Sequence, residues 1–196
     1  MKILNLYAGI GGNRKLWGDE HEITAVEYDK KIVAIYKDYF PNDTIIIADA
    51  HQYLLDHYKE FDFIWSSPPC PSHSVTNHFL NAQGVIRYPD MSLWQEIIFL
   101  KHFYKGKWCI ENVKSYYEPM FNPKLIGRHY LWSNFLVSTI EQSKKDIGRM
   151  NGPRQSANKK TKEERNMVNS KLGLHILDCA MNIIRKENIN QLDLFE

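Results

Sequence analysis

The chain has 196 residues, of which 43% are hydrophobic and 24% are charged, which is enough for one sizeable core in one domain. No apolar run approaches the ~18 residues that span a bilayer, and the first residues lack the apolar stretch of a signal peptide. These features argue against a membrane protein and predict a cytoplasmic one. The three cysteines, Cys70, Cys109 and Cys179, are widely spaced, which predicts reduced thiols rather than disulfides or a metal site.

The net charge of +2 hides an uneven distribution along the chain. Residues 1–100 contain 8 lysines and arginines against 13 acidic residues, whereas residues 101–172 contain 15 against 6. Clustered positive charge favours a nucleic-acid partner, because it releases counterions from a phosphate backbone. A solvated lysine-rich surface is the alternative explanation.

Short apolar runs alternate with amphipathic segments over the first two thirds of the chain, which is typical of strands and helices around a largely parallel sheet. Beyond Gly127 the pattern weakens into one or two further strands, then into a polar, basic stretch at 141–165 that predicts a long loop or a small subdomain. We predict strands at 2–7, 22–27, 43–49, 61–65 and 107–113, and helices at 29–40, 91–104 and 172–186.

Three glycines, Gly9, Gly11 and Gly12, follow the first predicted strand in the stretch YAGIGG. Such a turn lets a ligand approach the backbone closely. Glu27 closes the second strand, where it can accept hydrogen bonds from ribose hydroxyls, and Asp49 closes the third, where it can accept one from an adenine amine. Together they predict a nucleotide-type cofactor site. An ordinary turn with solvated carboxylates is the alternative.

Cys70 follows two prolines in the stretch FDFIWSSPPCPSHS. The prolines prevent a helix and hold the thiol on a stiff loop beyond the fourth strand. Glu111 and Asn112 end the neighbouring strand as ENV, so a carboxyl group is expected beside the thiol at the same edge of the sheet. A thiolate and a proton-donating carboxyl in one pocket suit addition to an electron-poor ring. An inert buried cysteine and a surface carboxylate are the alternatives.

These motifs, in this order, resemble the DNA cytosine methyltransferases that act on carbon 5. The matching stretches are LYAGIGG, VEYD, the AD that begins at Asp49, SSPPCPSHS and ENV. NMVNSKLGLHIL, at residues 166–177, is similar to a late family motif that folds back beside the cofactor loop. The resemblance covers most of residues 1–186. It implies an α/β, Rossmann-like methyltransferase fold with a mostly parallel central sheet flanked by helices, and S-adenosylmethionine as the cofactor.

The resemblance also implies roles for the matching residues. Cys70 is expected to add to carbon 6 of a cytosine that has left the base stack, while Glu111 holds ring nitrogen 3. Asn112 and Ser74 position the backbone or the substrate, and Arg128, the one safe match to two family arginines, contacts the cytosine carbonyl. The implied cofactor contacts are Tyr7, Ala8, Gly9, Gly11, Gly12, Glu27, Tyr28, Asp49, Ala50 and Pro68.

The long target-recognition insert of the family is reduced here to about residues 137–165. So short a segment supplies few base contacts, which predicts short or relaxed sequence specificity. Its basic side chains suit phosphate contacts, and residues 72–90, with Gly84 and Arg87, are expected to close as a loop over the flipped nucleotide. The expected DNA contacts are Ser74, Arg87, Lys144, Lys145, Arg149, Arg154, Lys159 and Lys160.

The last six residues, QLDLFE, are similar to the short peptide with which bacterial replication and repair proteins bind the sliding clamp. Gln191, Leu192, Leu194 and Phe195 are the anchors of that interpretation, and packing of these side chains on the domain is the alternative. The predicted division is a methyltransferase core at 1–140, a basic recognition segment at 141–165, a returning helix at 166–186 and a flexible tail at 187–196.

The sequence therefore predicts a DNA cytosine methyltransferase of a bacterial or phage, restriction–modification type. Cytosine in tRNA is the nearest alternative substrate. A protein of another class, which keeps the fold but only binds DNA or the clamp, is the remaining alternative, because the recognition segment is so short.

Overall fold

The computed structural model of the protein describes residues 1–140 and 167–184. The basic residues at 144–160 and the clamp-like tail at 191–196 lie outside the described residues. The expectations for DNA contacts in that segment and for clamp binding therefore stay predictions, as does the predicted division of the chain.

Within the described residues, a seven-stranded sheet forms the centre of the fold. Its strands are β1 (Lys2–Leu6), β2 (Glu22–Glu27), β3 (Thr44–Ile47), β4 (Phe63–Ser66), β5 (Lys107–Val113), β6 (Lys124–Ile126) and β7 (His129–Ser133). They lie in the order β3-β2-β1-β4-β5-β7-β6. The strands β1 to β5 are parallel, and β7 is antiparallel to its neighbours β5 and β6. The predicted mostly parallel sheet is confirmed.

Helices flank this sheet on both faces: α1 (Lys30–Tyr39), α2 (Ala50–His57), α3 (Asn77–Ala82), α4 (Ser92–Phe103) and α5 (Ser170–Met181). Two of them begin at aspartates whose side chains accept a backbone N–H, Asp29 for α1 and Asp49 for α2, which satisfies a free donor of the first turn. No helix in the described part of the chain is long and apolar enough to cross a membrane.

Alternate side chains of each strand face opposite cores. Leu4 and Leu6 of β1 pack in one core with α2 and α4, whereas Ile3 packs in the other with Trp17 and α5. Burial of each large apolar side chain contributes about 1.5–3 kcal/mol, so both faces of the sheet must be covered. This arrangement fixes where the carboxyl ends of the parallel strands meet.

Four elements differ from the sequence-based expectation. The helix α2 was not predicted, because its eight residues are too few to show a clear helical period, and β6 is a three-residue strand stabilised by pairing with β7. The segment 72–90, expected to be a loop, contains the six-residue helix α3, and its closure over a nucleotide stays a prediction. The first strand ends at Leu6 rather than Tyr7, because Tyr7 takes a positive φ of 54° where the chain turns.

Candidate active site

The carboxyl ends of β1, β2, β4 and β5 converge at one edge of the sheet, since these strands are parallel neighbours. The glycine turn follows β1, Glu27 closes β2, Cys70 follows β4, and Glu111 lies near the end of β5. Asp49 follows β3 at the outer side of the same edge. The sheet therefore brings the predicted cofactor and catalytic residues to one edge, where ligands of such folds bind.

The glycine turn is shaped by two contacts. The N–H of Gly9 donates to Glu27 Oε2 at 3.0 Å, so the turn and the end of β2 are directly connected. A Cβ on Gly12 would overlap the Met167 side chain and lie 2.6 Å from the Val168 carbonyl oxygen. The segment before α5 thus lies against the glycine turn, as the resemblance of residues 166–177 to the late family motif implied.

The backbone of this turn is open on one side at Gly9. Gly9 has φ 55°, and a Cβ at this position would meet nothing within 4 Å, so the space next to its backbone is free. Glu27 also accepts hydrogen bonds from the backbone of Tyr28 and Asp29, which orients its carboxylate. Tyr28 is 79% exposed, and its ring is free to cover a planar base.

The other residues expected to bind the cofactor contribute in different ways. Asp49 uses Oδ1 to cap α2 through the Gln52 N–H at 2.8 Å and is exposed to solvent. Ala8 and Ala50 are buried, at 6% and 4% exposure, so only their backbone atoms are available to a ligand.

The hydroxyl of Tyr7 donates to Glu96 at 2.7 Å, which directs that side chain toward α4. Gly11 donates its N–H to the Ala8 carbonyl inside the turn.

Cys70 sits on a loop that is held from several sides. Asn112 Nδ2 donates to the Pro68 carbonyl at 3.0 Å, and Asn77 Nδ2 donates to the Pro71 carbonyl at 2.9 Å. A further bond joins His73 Nδ1 and the Tyr117 hydroxyl at 2.5 Å. The position of the thiol is therefore determined by β5, by α3 and by the segment after β5 together. His73, Asn77 and Tyr117 were not considered in the sequence analysis.

The Cys70 thiol lies within electrostatic reach of Glu111 and Arg128. Burial raises the pKa of the Cys70 thiol, and the Glu111 carboxylate raises it further. The backbone N–H of Cys70 and the positive charge of Arg128 act in the other direction and lower the pKa of this thiol. Glu111 and Arg128 are thus close enough to Cys70 to affect its thiol, and burial together with Glu111 favours the protonated form of that thiol.

Glu111 is buried, with 6% of its side chain exposed, and its Oε1 lies 2.5 Å from Nδ1 of His129. His129 is the first residue of β7, and it pairs with Val113 in the antiparallel register with β5. Arg128 precedes it and is exposed. Glu111 and Arg128 were predicted from the sequence, whereas His129 was not considered. The histidine in the stretch IGRHYLW, next to Arg128, is the feature of the sequence that could have indicated it.

A second group that the sequence analysis missed is the buried carboxylate of Glu96, on α4. Glu96 is 0% exposed and accepts hydrogen bonds from Tyr7 at 2.7 Å and from Ser66 at 2.7 Å. His51 Nδ1 lies 3.1 Å from it, and this hydrogen bond raises the pKa of His51. The network connects the ends of β1 and β4 to α2 and α4. An acidic residue inside the apolar helix LWQEIIFL was the available signal.

The residues expected to contact DNA are divided between described and undescribed parts of the chain. Ser74 Oγ lies 2.8 Å from Thr76 Oγ1, and Ser74 forms a β-bridge with Ser115, so its side chain has a local partner. Arg87 is exposed, and its carbonyl accepts a hydrogen bond from the Tyr116 hydroxyl at 3.0 Å. These two positions lie on the segment that carries the catalytic loop.

A family model for C-5 cytosine-specific DNA methylases matches residues 1–125. The chain belongs to the C-5 cytosine-specific DNA methylase family. Enzymes of this family transfer a methyl group and depend on S-adenosylmethionine. The resemblance drawn from the motifs is confirmed, and so is the Rossmann-like methyltransferase fold with its mostly parallel sheet.

Several solved structures are similar to this methylase-family chain. A DNMT2 mutant from Spodoptera frugiperda is 29% identical over 58% of this chain and 35% of that chain, with a TM-score of 0.42. A hypothetical protein from Thermus thermophilus is 15% identical over 67% and 73%, with a TM-score of 0.43. A DNA modification methyltransferase candidate from an Escherichia coli prophage is 17% identical over 60% and 33%, with a TM-score of 0.42. No curated protein gives a significant match.

Proposed function

We propose that the protein methylates carbon 5 of cytosine in DNA through a covalent adduct between Cys70 and the base. The observation that carries the proposal is that Asn112 holds the Cys70 loop against the end of β5, where the thiol interacts electrostatically with Glu111 and Arg128. Family membership supports methyl transfer, and the geometry of the pocket supports a nucleophile and a proton donor acting on one ring.

The residues beside the glycine turn fit S-adenosylmethionine. Glu27 has oriented carboxylate oxygens for the ribose hydroxyls, Asp49 is an exposed acceptor for the adenine amine, and Tyr28 offers a ring face. The open space beside Gly9 allows the chain of the ligand to pass close to the backbone. When bound, S-adenosylmethionine supplies an electrophilic methyl group carried on a positively charged sulfur.

The first chemical step proposed for the pocket activates the cytosine ring. The Cys70 thiolate forms a bond to carbon 6, and the electrons of the 5,6 double bond move into the ring as Glu111 gives a proton to nitrogen 3. Carbon 5 then becomes nucleophilic. The role of Arg128 is to neutralise charge near the thiolate and to contact the carbonyl oxygen, because its positive charge already lowers the pKa of the Cys70 thiol.

The second step restores both the ring and the enzyme. Once carbon 5 carries the methyl group, a base removes the remaining proton of that carbon, the 5,6 double bond forms again, and the Cys70 thiolate leaves. Nitrogen 3 returns its proton to Glu111, and the Cys70 thiolate that leaves takes back the proton that its thiol gave to solvent before the first step. The proton from carbon 5 passes through the base to solvent, so one proton is released for each methyl group transferred. The cytosine must leave the duplex stack to reach this pocket, which costs a few kcal/mol in a paired base. With the recognition segment so short, we propose a short or relaxed target sequence.

The proposed function is tested by incubating the protein with labelled S-adenosylmethionine and with duplex DNA, single-stranded DNA or tRNA, followed by mass spectrometry of the nucleosides. We expect 5-methylcytosine in duplex DNA and none with Cys70→Ser. Cys179→Ser is the matched control, since that half-buried thiol lies on α5, and it should retain full activity. Methylation confined to tRNA would move the substrate to RNA, and methylation of neither polymer would favour the role of a DNA-binding protein without turnover.

The covalent step needs its own measurement. DNA that contains 5-fluorocytosine cannot lose a proton from carbon 5, so the adduct with Cys70 should accumulate after methyl transfer. We expect a stable protein–DNA band and a mass increase on the peptide that carries Cys70. Methylation of normal DNA without any trapped species would remove the covalent step from the proposal.

A further inference from the structure

His129 is buried in the catalytic pocket and bonded to Glu111. The side chains are 8% and 6% exposed, and His129 Nδ1 lies 2.5 Å from Glu111 Oε1. Within residues 1–140 and 167–184, no other side chain pairs with either group, and Nε2 of His129 and Oε2 of Glu111 are not among the buried, unpaired polar atoms. One carboxyl oxygen is thus held by the histidine, and the other is available to a ligand.

The residues around this pair belong to the catalytic loop and to β5. Glu111 interacts electrostatically with Cys70 on the catalytic loop and with Cys109 on β5. Arg128 precedes His129, and the N–H of Lys114, after β5, donates to the Arg128 carbonyl at 3.0 Å. Since the Glu111 carboxylate raises the pKa of the Cys70 thiol, the orientation of Glu111 also affects the nucleophile.

We propose that His129 is a positioning residue that orients the carboxyl of Glu111 toward nitrogen 3 of the cytosine ring. The inference rests on the proposed function. In the working state one proton lies on Nδ1 and is shared with Oε1, and a second lies on Oε2. The Oε2 proton passes to nitrogen 3 as the bond from Cys70 to carbon 6 forms, and it returns when that bond breaks. The Nδ1–H bond stabilises the carboxylate in between.

Without the bond to His129, the Glu111 carboxyl is free to rotate, and the proton on Oε2 no longer faces nitrogen 3. A side chain that keeps an N–H beside Oε1 should preserve this orientation, whereas a side chain without a donor should lose it. The expected effect is on the rate of adduct formation and methyl transfer rather than on the binding of DNA.

The test measures kcat, KM for DNA and the rate at which the 5-fluorocytosine adduct forms in His129→Asn and His129→Phe. The Asn side chain keeps an N–H near the position of Nδ1, so it should retain a large part of the wild-type rate. His129→Phe should lose about 10²-fold in kcat with little change in KM. His57→Asn is the matched control, because His57 and Glu60 form an exposed pair at 2.7 Å at the end of α2, and it should behave as wild type.

Two further results separate the possible failures. If wild-type protein methylates DNA and His129→Phe keeps the full rate, or His129→Asn loses as much as His129→Phe, the role of His129 is wrong while the proposed function stands. If wild-type protein transfers no methyl group, the proposed function fails first and this role with it. Calorimetric binding of S-adenosylmethionine confirms that each variant is folded, and should His129→Phe not fold, His129→Gln, whose N–H lies one carbon further out, takes its place.

Discussion

The side chain of Asn112 connects the end of β5 to the catalytic loop by donating to the carbonyl of Pro68 at 3.0 Å. Its other end accepts the Val113 N–H at 2.9 Å, and the residue is only 2% exposed. Asn112 therefore ties the catalytic loop to β5 at Pro68, two residues before Cys70. The expectation that it positions backbone is supported by this geometry, and a direct contact with substrate is not required.

We predict that Asn112→Asp lowers methyl transfer by about 10- to 100-fold, because a carboxylate cannot donate to Pro68 and small displacements of a nucleophile are costly. An unpaired buried carbonyl also lowers the free energy of unfolding by about 1–3 kcal/mol. The measurement is single-turnover methylation beside urea unfolding. Binding of S-adenosylmethionine should remain, and a wild-type rate in this variant would show that the loop does not depend on Asn112.

The contact between His51 and Glu96 predicts a pH dependence of stability. Because the hydrogen bond to Glu96 raises the pKa of His51, this contribution is fully present below the unfolded value of about 6.5 and is lost as pH rises through the raised pKa. Urea unfolding of wild type and His51→Gln should differ more at pH 6 than at pH 9. An equal difference at both pH values would contradict the interpretation.

Removing Glu96 itself is expected to be more damaging. Glu96→Leu leaves the buried hydroxyls of Tyr7 and Ser66 without their shared acceptor, at about 1–3 kcal/mol for each buried group left unpaired. We predict a lowered thermal midpoint and weaker binding of S-adenosylmethionine, since Tyr7 begins the glycine turn. Glu60→Leu, at an exposed carboxylate, is the control and should leave both quantities near wild type.

The close approach of Met167 to Gly12 predicts a steric coupling between the glycine turn and the segment before α5. Gly12→Ala should destabilise the protein by about 1–3 kcal/mol, because the added carbon overlaps Met167 and approaches the Val168 carbonyl. Met167→Ala in the same chain should recover part of that loss, which a double-mutant cycle measures. Strict additivity of the two changes would show that the segment does not pack on Gly12.

The three cysteines should differ in reactivity toward iodoacetamide at pH 8. Although burial acts in the opposite direction, the hydrogen bond to His175 lowers the pKa of the half-buried Cys179 thiol, whereas burial raises the pKa of Cys70 and of the fully buried Cys109. Peptide mass spectrometry should find Cys179 modified first. His175→Phe should slow that reaction, and preferential labelling of Cys70 in both proteins would contradict the assignment.

Local patterns in the sequence were sufficient to predict the longer strands and helices. The strands at 22–27 and 107–113 were predicted at their observed bounds, because both are apolar runs that end in acidic or polar side chains. The helix α1 was predicted to within a residue at each end, since Asp29 and Pro41 border its apolar stripe. The short elements α3, of six residues, and β6, of three, were missed. Segments of this length are too short for the spacing of apolar residues to indicate a helix or a strand.

The amino-acid sequence by itself determined the order of the motifs, and with it the family and the edge of the sheet at which Cys70, Glu111 and the glycine turn meet. Only the tertiary structure decided which polar groups pair inside that edge. The partners of Glu111 and Glu96 lie 18 and 89 residues away along the chain, at His129 and Tyr7. Periodicity reports which face of an element is buried, whereas strand pairing and helix packing set which distant side chains come within hydrogen-bond distance.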